Sequence, residues 1–280
     1  MARLIGGIGT SHIPSLGPVI DRRLTETPEW KPFFDDYQPV RRWLESQAPD
    51  LAIVVYNDHG CDFFLDKMPT FAVGAAPSYP PGDQGWDVRR VPDAAGDLAF
   101  SQHAIEHLIE AEFDVTICQE LHVDHGFHVP MSLLFGDEWP VRVLPIVVNV
   151  IQHPVPTPLR CYKFGQALRR AVDTYPTAER VVIVGTGGMS HQLHGERAGF
   201  MSQTFDEAFL DAIEADPLAL TRITRREYME RAGAEAIELI MWLTMRGALD
   251  ERVARVHRAY KLGVSLTGSG LIALANQEVA

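Results

Sequence analysis

The stretch VVIVGTGGMSHQLH, residues 181–194, decides how the fold is read. Val181, Val182, Ile183 and Val184 form an unbroken apolar run, three of the four side chains valine and all β-branched. A strand with one wet face alternates apolar and polar residues, so an uninterrupted run belongs to a strand buried on both faces, as in a sheet covered by helices on each side. Gly185, Gly187 and Gly188 then allow a sharp turn that delivers Ser190 and His191 at the carboxyl end of the strand. In open α/β sheets that edge is where ligands sit. Three chemistries fit the turn at this stage: a phosphate cradle, a metal pair made by His191 and His194, or an acid/base histidine.

The same unit recurs twice upstream. RLIGGI, residues 3–8, runs into Gly9-Thr10-Ser11-His12-Ile13-Pro14, and LAIVVY, residues 51–56, runs into Asn57-Asp58-His59. Three strands each followed by a histidine predict an α/β fold: a single domain over 1–280, with a mostly parallel or mixed central sheet flanked by helices and a site at the strand carboxyl ends. A hydrophobic content of 46% supplies an ordinary core for such a domain. The net charge of −12, with no visible basic patch, argues against a nucleic-acid surface. No apolar run approaches the roughly 18 residues of a membrane span, and the first residues lack a signal-like core, so a cytoplasmic protein without membrane partners is expected. Cys61, Cys118 and Cys161 are odd in number and widely spaced, which suits reduced thiols rather than a disulfide framework or a zinc site.

Between these units the pattern is mixed. A helix is expected after Pro39 with Val40, Trp43 and Leu44 on one face, a strand over 71–75, and a Pro- and Gly-rich loop over 77–92. Residues 97–110 have helical spacing that puts His103 and His107 on a solvated face. His122, His125 and His128 stand at intervals of three, but Gly126 and Pro130 argue against a regular helix there. Pro145 within the apolar run 141–150 suggests an edge strand or a bulge. Residues 153–158 read as a stiff connector with an inert His153, and 161–174, 205–214 and 224–231 as helices. Residues 233–246 form the strongest helical pattern, with Gly247 as its C-cap. The glycine-rich tail after Tyr260 is expected to pack beside the sheet.

Glu238 carries the functional argument. Its neighbours Ile237, Leu239, Ile240, Met241, Trp242 and Leu243 are all apolar, so its carboxylate is expected to be buried. A lone buried carboxylate is costly unless a cation or strong donors compensate it. Glu235, one turn earlier, needs no such partner because the start of a helix suits it. A divalent metal held by His12, His59 and Glu238 satisfies the requirement. Two imidazoles and one carboxylate with open positions is the ligand set of non-haem Fe(II) oxygenases, while zinc fits the ligand types as well.

Five motifs in order carry a resemblance: Gly9 to Pro14, Tyr56-Asn57-Asp58-His59, Val123-Asp124-His125-Gly126, Gly185-Thr186-Gly187-Gly188-Met189-Ser190-His191-Gln192-Leu193, and Glu235 to Trp242. Over nearly the whole chain this resembles the class III extradiol ring-cleavage dioxygenases, in particular the catalytic beta subunits of the protocatechuate 4,5-dioxygenase type. The resemblance implies Fe(II) on His12, His59 and Glu238, O2 as co-substrate, His191 as catalytic acid/base and His125 lining the pocket. It implies that Ser265 and Asn57 touch the substrate, an aromatic carboxylate, and that protocatechuate is cleaved between C4 and C5 to 4-carboxy-2-hydroxymuconate 6-semialdehyde. Gallate or 3-O-methylgallate cleavage is the alternative, with a non-catalytic scaffold of the same fold or a zinc hydrolase behind it. The partner implied is a small alpha subunit, in a heterotetramer of two alpha and two beta chains, serving aromatic catabolism such as lignin degradation. With the metal on His12 and His59, the other readings of the glycine-rich turn weaken: it lacks the lysine of a phosphate loop, and a His191–His194 metal pair leaves Glu238 unexplained. His122, His128 and His194 are read as structural.

Overall fold

The computed structural model describes residues 1–85 and 89–277. Among the described residues there are ten strands: β1 (Arg3–Thr10), β2 (Leu51–Tyr56), β3 (Phe71–Gly74), β4 (Ser78–Tyr79), β5 (Ala94–Ala95), β6 (Thr116–Cys118), β7 (Arg142–Val148), β8 (Arg180–Thr186), β9 (Val253–Val264) and β10 (Thr267–Asn276). Eight of them form one mixed sheet in the order β6-β3-β7-β2-β8-β1-β10-β9, and β4 pairs only with β5. Neighbours β7, β2, β8 and β1 run parallel, while β3 and β10 pair antiparallel to the outer members of that group.

Alternation along the central strands explains the three-layer build. Ile53 and Val55 face one core while Ala52, Val54 and Tyr56 face the other, so the uninterrupted run is a period-2 strand covered twice. One helical layer holds α1 (Leu16–Asp21), α2 (Lys31–Asp35), α3 (Gln38–Gln47) and, further along the chain, α5 (His125–Phe135). The other holds α4 (Leu98–Glu110), α6 (Pro158–Thr174), α7 (Gln203–Ala215) and the buried α10 (Leu239–Ala248), with α8 (Pro217–Thr221) and α9 (Arg225–Ala232) at its margin.

Several expectations are corrected. Residues 121–130 do contain a helix: α5 runs through Pro130, started by Asp124, whose side chain accepts from Gly126 N–H at 2.8 Å. That cap offsets the helix-breaking tendency of the glycine and the proline. Pro145 sits in an interior strand, paired through Val54; the antiparallel pairing of β7 with β3 begins only at Ile146, so the proline occupies a local edge. His103 and His107 are half-buried rather than solvated, and reach α6 through Ala171 O and the Thr174 hydroxyl. The pattern over 233–246 splits into a 3₁₀ turn, Ala234–Glu238, and α10, which continues through Gly247 to Ala248. Gly247 is a contact residue, because a Cβ there would stand 2.1 Å from Tyr162 O on α6. The tail lies in the sheet as the β9–β10 hairpin, with β10 antiparallel to β1. The expected loop over 77–92 holds the short β4, and its residues 86–88 lie outside the described residues.

This topology assembles one edge. β1, β2 and β8 are parallel and adjacent, so Ser11-His12, Asn57-Asp58-His59 and Gly187 to His191 leave the sheet together. β10 runs the other way beside β1, which brings the hairpin tip at Ser265 and Leu266 to the same edge.

Candidate active site

At this edge lies a cavity of about 470 Å³ lined by His12, Asn57, His59, His125, His191, Glu238, Ser265 and Thr267, with Ile13, Pro14, Val150, Ile151 and Leu193 as apolar wall. The volume suits a single aromatic ring with small substituents.

Each polar side chain is aimed by its neighbours. His12 follows β1, and its Nδ1 lies 3.0 Å from the hydroxyl of Thr186, the last residue of β8. His59 donates from Nδ1 to Asp124 Oδ2 at 2.8 Å, and its backbone N–H donates to the same oxygen at 2.7 Å. Asp124 therefore starts α5 with one carboxylate oxygen and orients His59 with the other. The His125 ring lies over His59, centroids 3.9 Å apart, and donates from Nδ1 to Gln84 Oε1. His191 donates from Nδ1 to the Met189 carbonyl at 2.8 Å. With the Nδ1 edges committed, His12 turns Nε2 to Glu238 Oε2 at 3.2 Å, His59 Nε2 lies 4.0 Å from Oε1, and His191 Nε2 lies 4.0 Å from Oε2.

Glu238 is 7% exposed and accepts from Gly188 N–H at 2.6 Å. The approach depends on Gly187, which has φ of 134° and whose Cβ, if present, would meet Glu238 Cβ at 2.9 Å. Burial pushes the Glu238 pKa up, but His12, His191 and His59 outweigh it and bring it down to about 2. At His59 burial favours the neutral ring, whereas Asp124, Glu238 and Asp58 raise the pKa above its ordinary value. His125, buried beside His59 and His12, is held well below the ordinary histidine range. The ion-pair partners of Asp124 and Glu238 among the described residues are all histidines. Two buried carboxylates facing imidazoles, with no fixed lysine or arginine, form a site that draws in a cation.

The donors fit a divalent metal. Neutral imidazoles with Nδ1 committed elsewhere offer Nε2, the arrangement in which metal-binding histidines are held, and a buried carboxylate supplies the anionic ligand. His12, His59 and Glu238 lie close together in the structure. His12, His59 and His125 also bring one ligand atom each within 4.8 Å of one another, so a three-histidine set shares the same space.

Of the other residues singled out, Asn57 donates to His59 Nε2 at 3.0 Å, and Ser265 pairs its hydroxyl with Ser15 at 2.5 Å. His122 bonds Asp62 and His194 is exposed; neither they nor the buried His128 lines the cavity. His153, read as inert, does line it, because the connector after β7 leaves the sheet at the same edge. Asp124, Thr186 and Gln84 escaped the sequence reading. Asp124 before a helical segment is an N-cap signal that could have been used; Thr186 and Gln84 carry none.

The family described as "Catalytic LigB subunit of aromatic ring-opening dioxygenase" matches residues 6–270. A gallate dioxygenase of Pseudomonas putida KT2440 is 45% identical over 200 residues, covering 71% of this chain and 58% of the relative. A Rhodococcus 2,3-dihydroxyphenylpropionate/2,3-dihydroxicinnamic acid 1,2-dioxygenase is 29% identical over 199 residues, covering 71% of this chain and 61% of its own length. The matched part thus spans about three-fifths of these relatives. The crystal structure of an uncharacterized Escherichia coli K12 protein superposes with a TM-score of 0.61 at 15% identity, covering 96% of this chain and 99% of that one, which speaks for the fold.

Proposed function

This chain belongs to the family of catalytic LigB subunits of aromatic ring-opening dioxygenases, and from that membership we propose that it opens the ring of gallate, or a close 3-O-methylated analogue, beside two adjacent hydroxyls. The carrying observation is the convergence of His12, His59 and Glu238 in a ring-sized cavity that His125 and His191 also line. The identity with a gallate dioxygenase favours gallate over the protocatechuate suggested by the sequence motifs.

In this reading His12, His59 and Glu238 hold Fe(II). The metal supplies a centre at which a catechol and dioxygen are activated together, so that both oxygen atoms enter the product. The protein's own part is binding and proton handling. His191 stands with Nε2 toward the site and takes the proton of a substrate hydroxyl, then returns it as the ring opens; a histidine is suited to both directions near neutral pH. His125 bonds the second hydroxyl. Asn57 and the Ser15–Ser265 hydroxyl pair line the same cavity; Asn57 contacts the substrate there, and the serine pair receives the substrate carboxylate. Ile13, Val150, Ile151 and Leu193 exclude water and flank the ring. The separate small alpha subunit belongs to this proposal too, as the element completing the carboxylate end; copurification from the source cells tests it.

Oxygen consumption by the iron-loaded protein on gallate, 3-O-methylgallate and protocatechuate tests the reading. Uptake fastest with gallate is expected; a preference for protocatechuate would return the substrate to the other branch of the family.

A further inference from the structure

The cavity has a buried end and an open end. His12, His125, His191 and Glu238 are buried, whereas Ser15, Ile151, His153, Leu193 and Ser265 are exposed and form the mouth. Among the described residues no lysine or arginine lines the cavity, while two carboxylates, Glu235 and Glu238, do. A carboxylated ring whose hydroxyls go to the buried end brings its own negative charge to the mouth, where N–H or O–H donors must replace the water it gives up.

Most polar groups of the mouth are already engaged. Glu235 Oε2 accepts from Leu193 N–H at 3.1 Å, and a carboxylate has no hydrogen to offer. Ser15 and Ser265 share one hydrogen between their hydroxyls, which leaves a single O–H for a substrate carboxylate that can accept several. His153 makes no hydrogen bond or ion pair among the described residues. An imidazole carries at least one N–H whether neutral or protonated, so His153 is the mouth's uncommitted donor.

The chain is fixed on both sides of this histidine. Asn149, 6% exposed, accepts through Oδ1 from Ile151 N–H at 3.1 Å and Gln152 N–H at 2.8 Å, and donates from Nδ2 to Gln152 O at 2.7 Å. Gln152 in turn donates to Leu65 O at 2.8 Å. Beyond His153, Val155 is buried and its carbonyl accepts from Arg225. A donor held on a fixed backbone loses little freedom when a ligand arrives.

We propose that His153 is a specificity-determining residue whose imidazole N–H bonds the carboxylate of the aromatic substrate, together with the Ser15–Ser265 pair, and so selects carboxylated over neutral catechols. The inference rests on the ring-opening function proposed above.

Gallate and pyrogallol share three adjacent hydroxyls and differ in the carboxylate alone, so the pair reads this contact. Anaerobic titration calorimetry on the iron-loaded full chain, with any copurifying partner retained, measures binding without turnover. The wild type should bind gallate more tightly than pyrogallol. His153→Leu should weaken gallate by about 10-fold, the scale of one hydrogen bond to a charged group, and leave pyrogallol unchanged; His153→Gln, which keeps an N–H donor, should recover most of the loss. Equal weakening of both ligands in His153→Leu, or gallate affinity unchanged in that variant, overturns the proposal. Oxygen uptake is read separately. A variant that loses gallate selectively, in a protein that consumes no oxygen, leaves His153 in its role and removes the ring opening. Uptake with a gallate affinity indifferent to His153 does the opposite, and binding of neither ligand removes both.

Discussion

Glu238 is the residue on which the site turns, because it meets His12, His59 and His191 while buried in an otherwise apolar segment. Glu238→Ala should abolish stoichiometric Fe(II) binding in metal analysis of the reconstituted protein. His191→Ala should keep the iron and lose turnover by about 10²- to 10⁴-fold, the range expected of a proton-transfer group. The reverse pattern would exchange the two roles, and loss of iron in His125→Ala with retention in Glu238→Ala would select the three-histidine set. His128 gives a separate prediction about pH. Burial, aided by the Arg89 charge, lowers its pKa to about 4 in the folded protein, below the ordinary 6.5. The unfolded chain therefore takes up a proton first as pH falls, and stability drops through the window from 6.5 to about 4, by up to about 1.4 kcal/mol per unit, levelling off below it. Denaturant melts of the wild type and His128→Gln across that window check this; the variant should show a shallower slope. Of these residues, Glu238 was legible in the sequence because a charge amid six apolar neighbours demands a partner. Gln84 was not, since it is a polar residue in a polar loop and only the fold brings it to His125.

Among the elements, α5 shows how one side chain serves both structure and site. Asp124 bonds Gly126 N–H at the helix start and both N–H groups of His59. Asp124→Ala should lower thermal stability by about 1 kcal/mol or more from the lost cap and weaken divalent-metal affinity by about 10- to 100-fold in titration calorimetry. Equal metal affinity in variant and wild type would mean that His59 is held by packing alone. The α6–α10 crossing is close enough that Gly247→Ala, placing a methyl against Tyr162 O, should destabilise by about 1–3 kcal/mol in denaturant titration while leaving metal affinity in place. These elements also show where sequence reading stops. The parallel strands were legible because β-branched runs end in turn residues, whereas the β9–β10 hairpin was missed because β9 is half-exposed and its two-residue tip, Ser265 and Leu266, lacks the Asn-Gly usual where both residues take positive φ. The helix through Pro130 was missed because its cap outweighs the two residues that argue against it.

At the scale of the whole molecule, the sheet order turns three separated motifs into one site. His12, His59 and His191 lie far apart in sequence and meet because β1, β8 and β2 are parallel neighbours. The three strand-histidine units were visible in the sequence, and so was the edge they would share. The order of the strands was not, because it depends on which buried faces pair and no local pattern records that. No helix among the described residues is long and apolar enough to cross a membrane. The central claim is that this edge is an iron site built to open a catechol ring. Its most direct test is oxygen uptake after anaerobic Fe(II) loading, with gallate as substrate and with any copurifying partner retained. The account predicts one O2 consumed per gallate, abolished by chelation before loading and by Glu238→Ala. An iron-loaded protein that consumes no oxygen with gallate, 3-O-methylgallate or protocatechuate would contradict it.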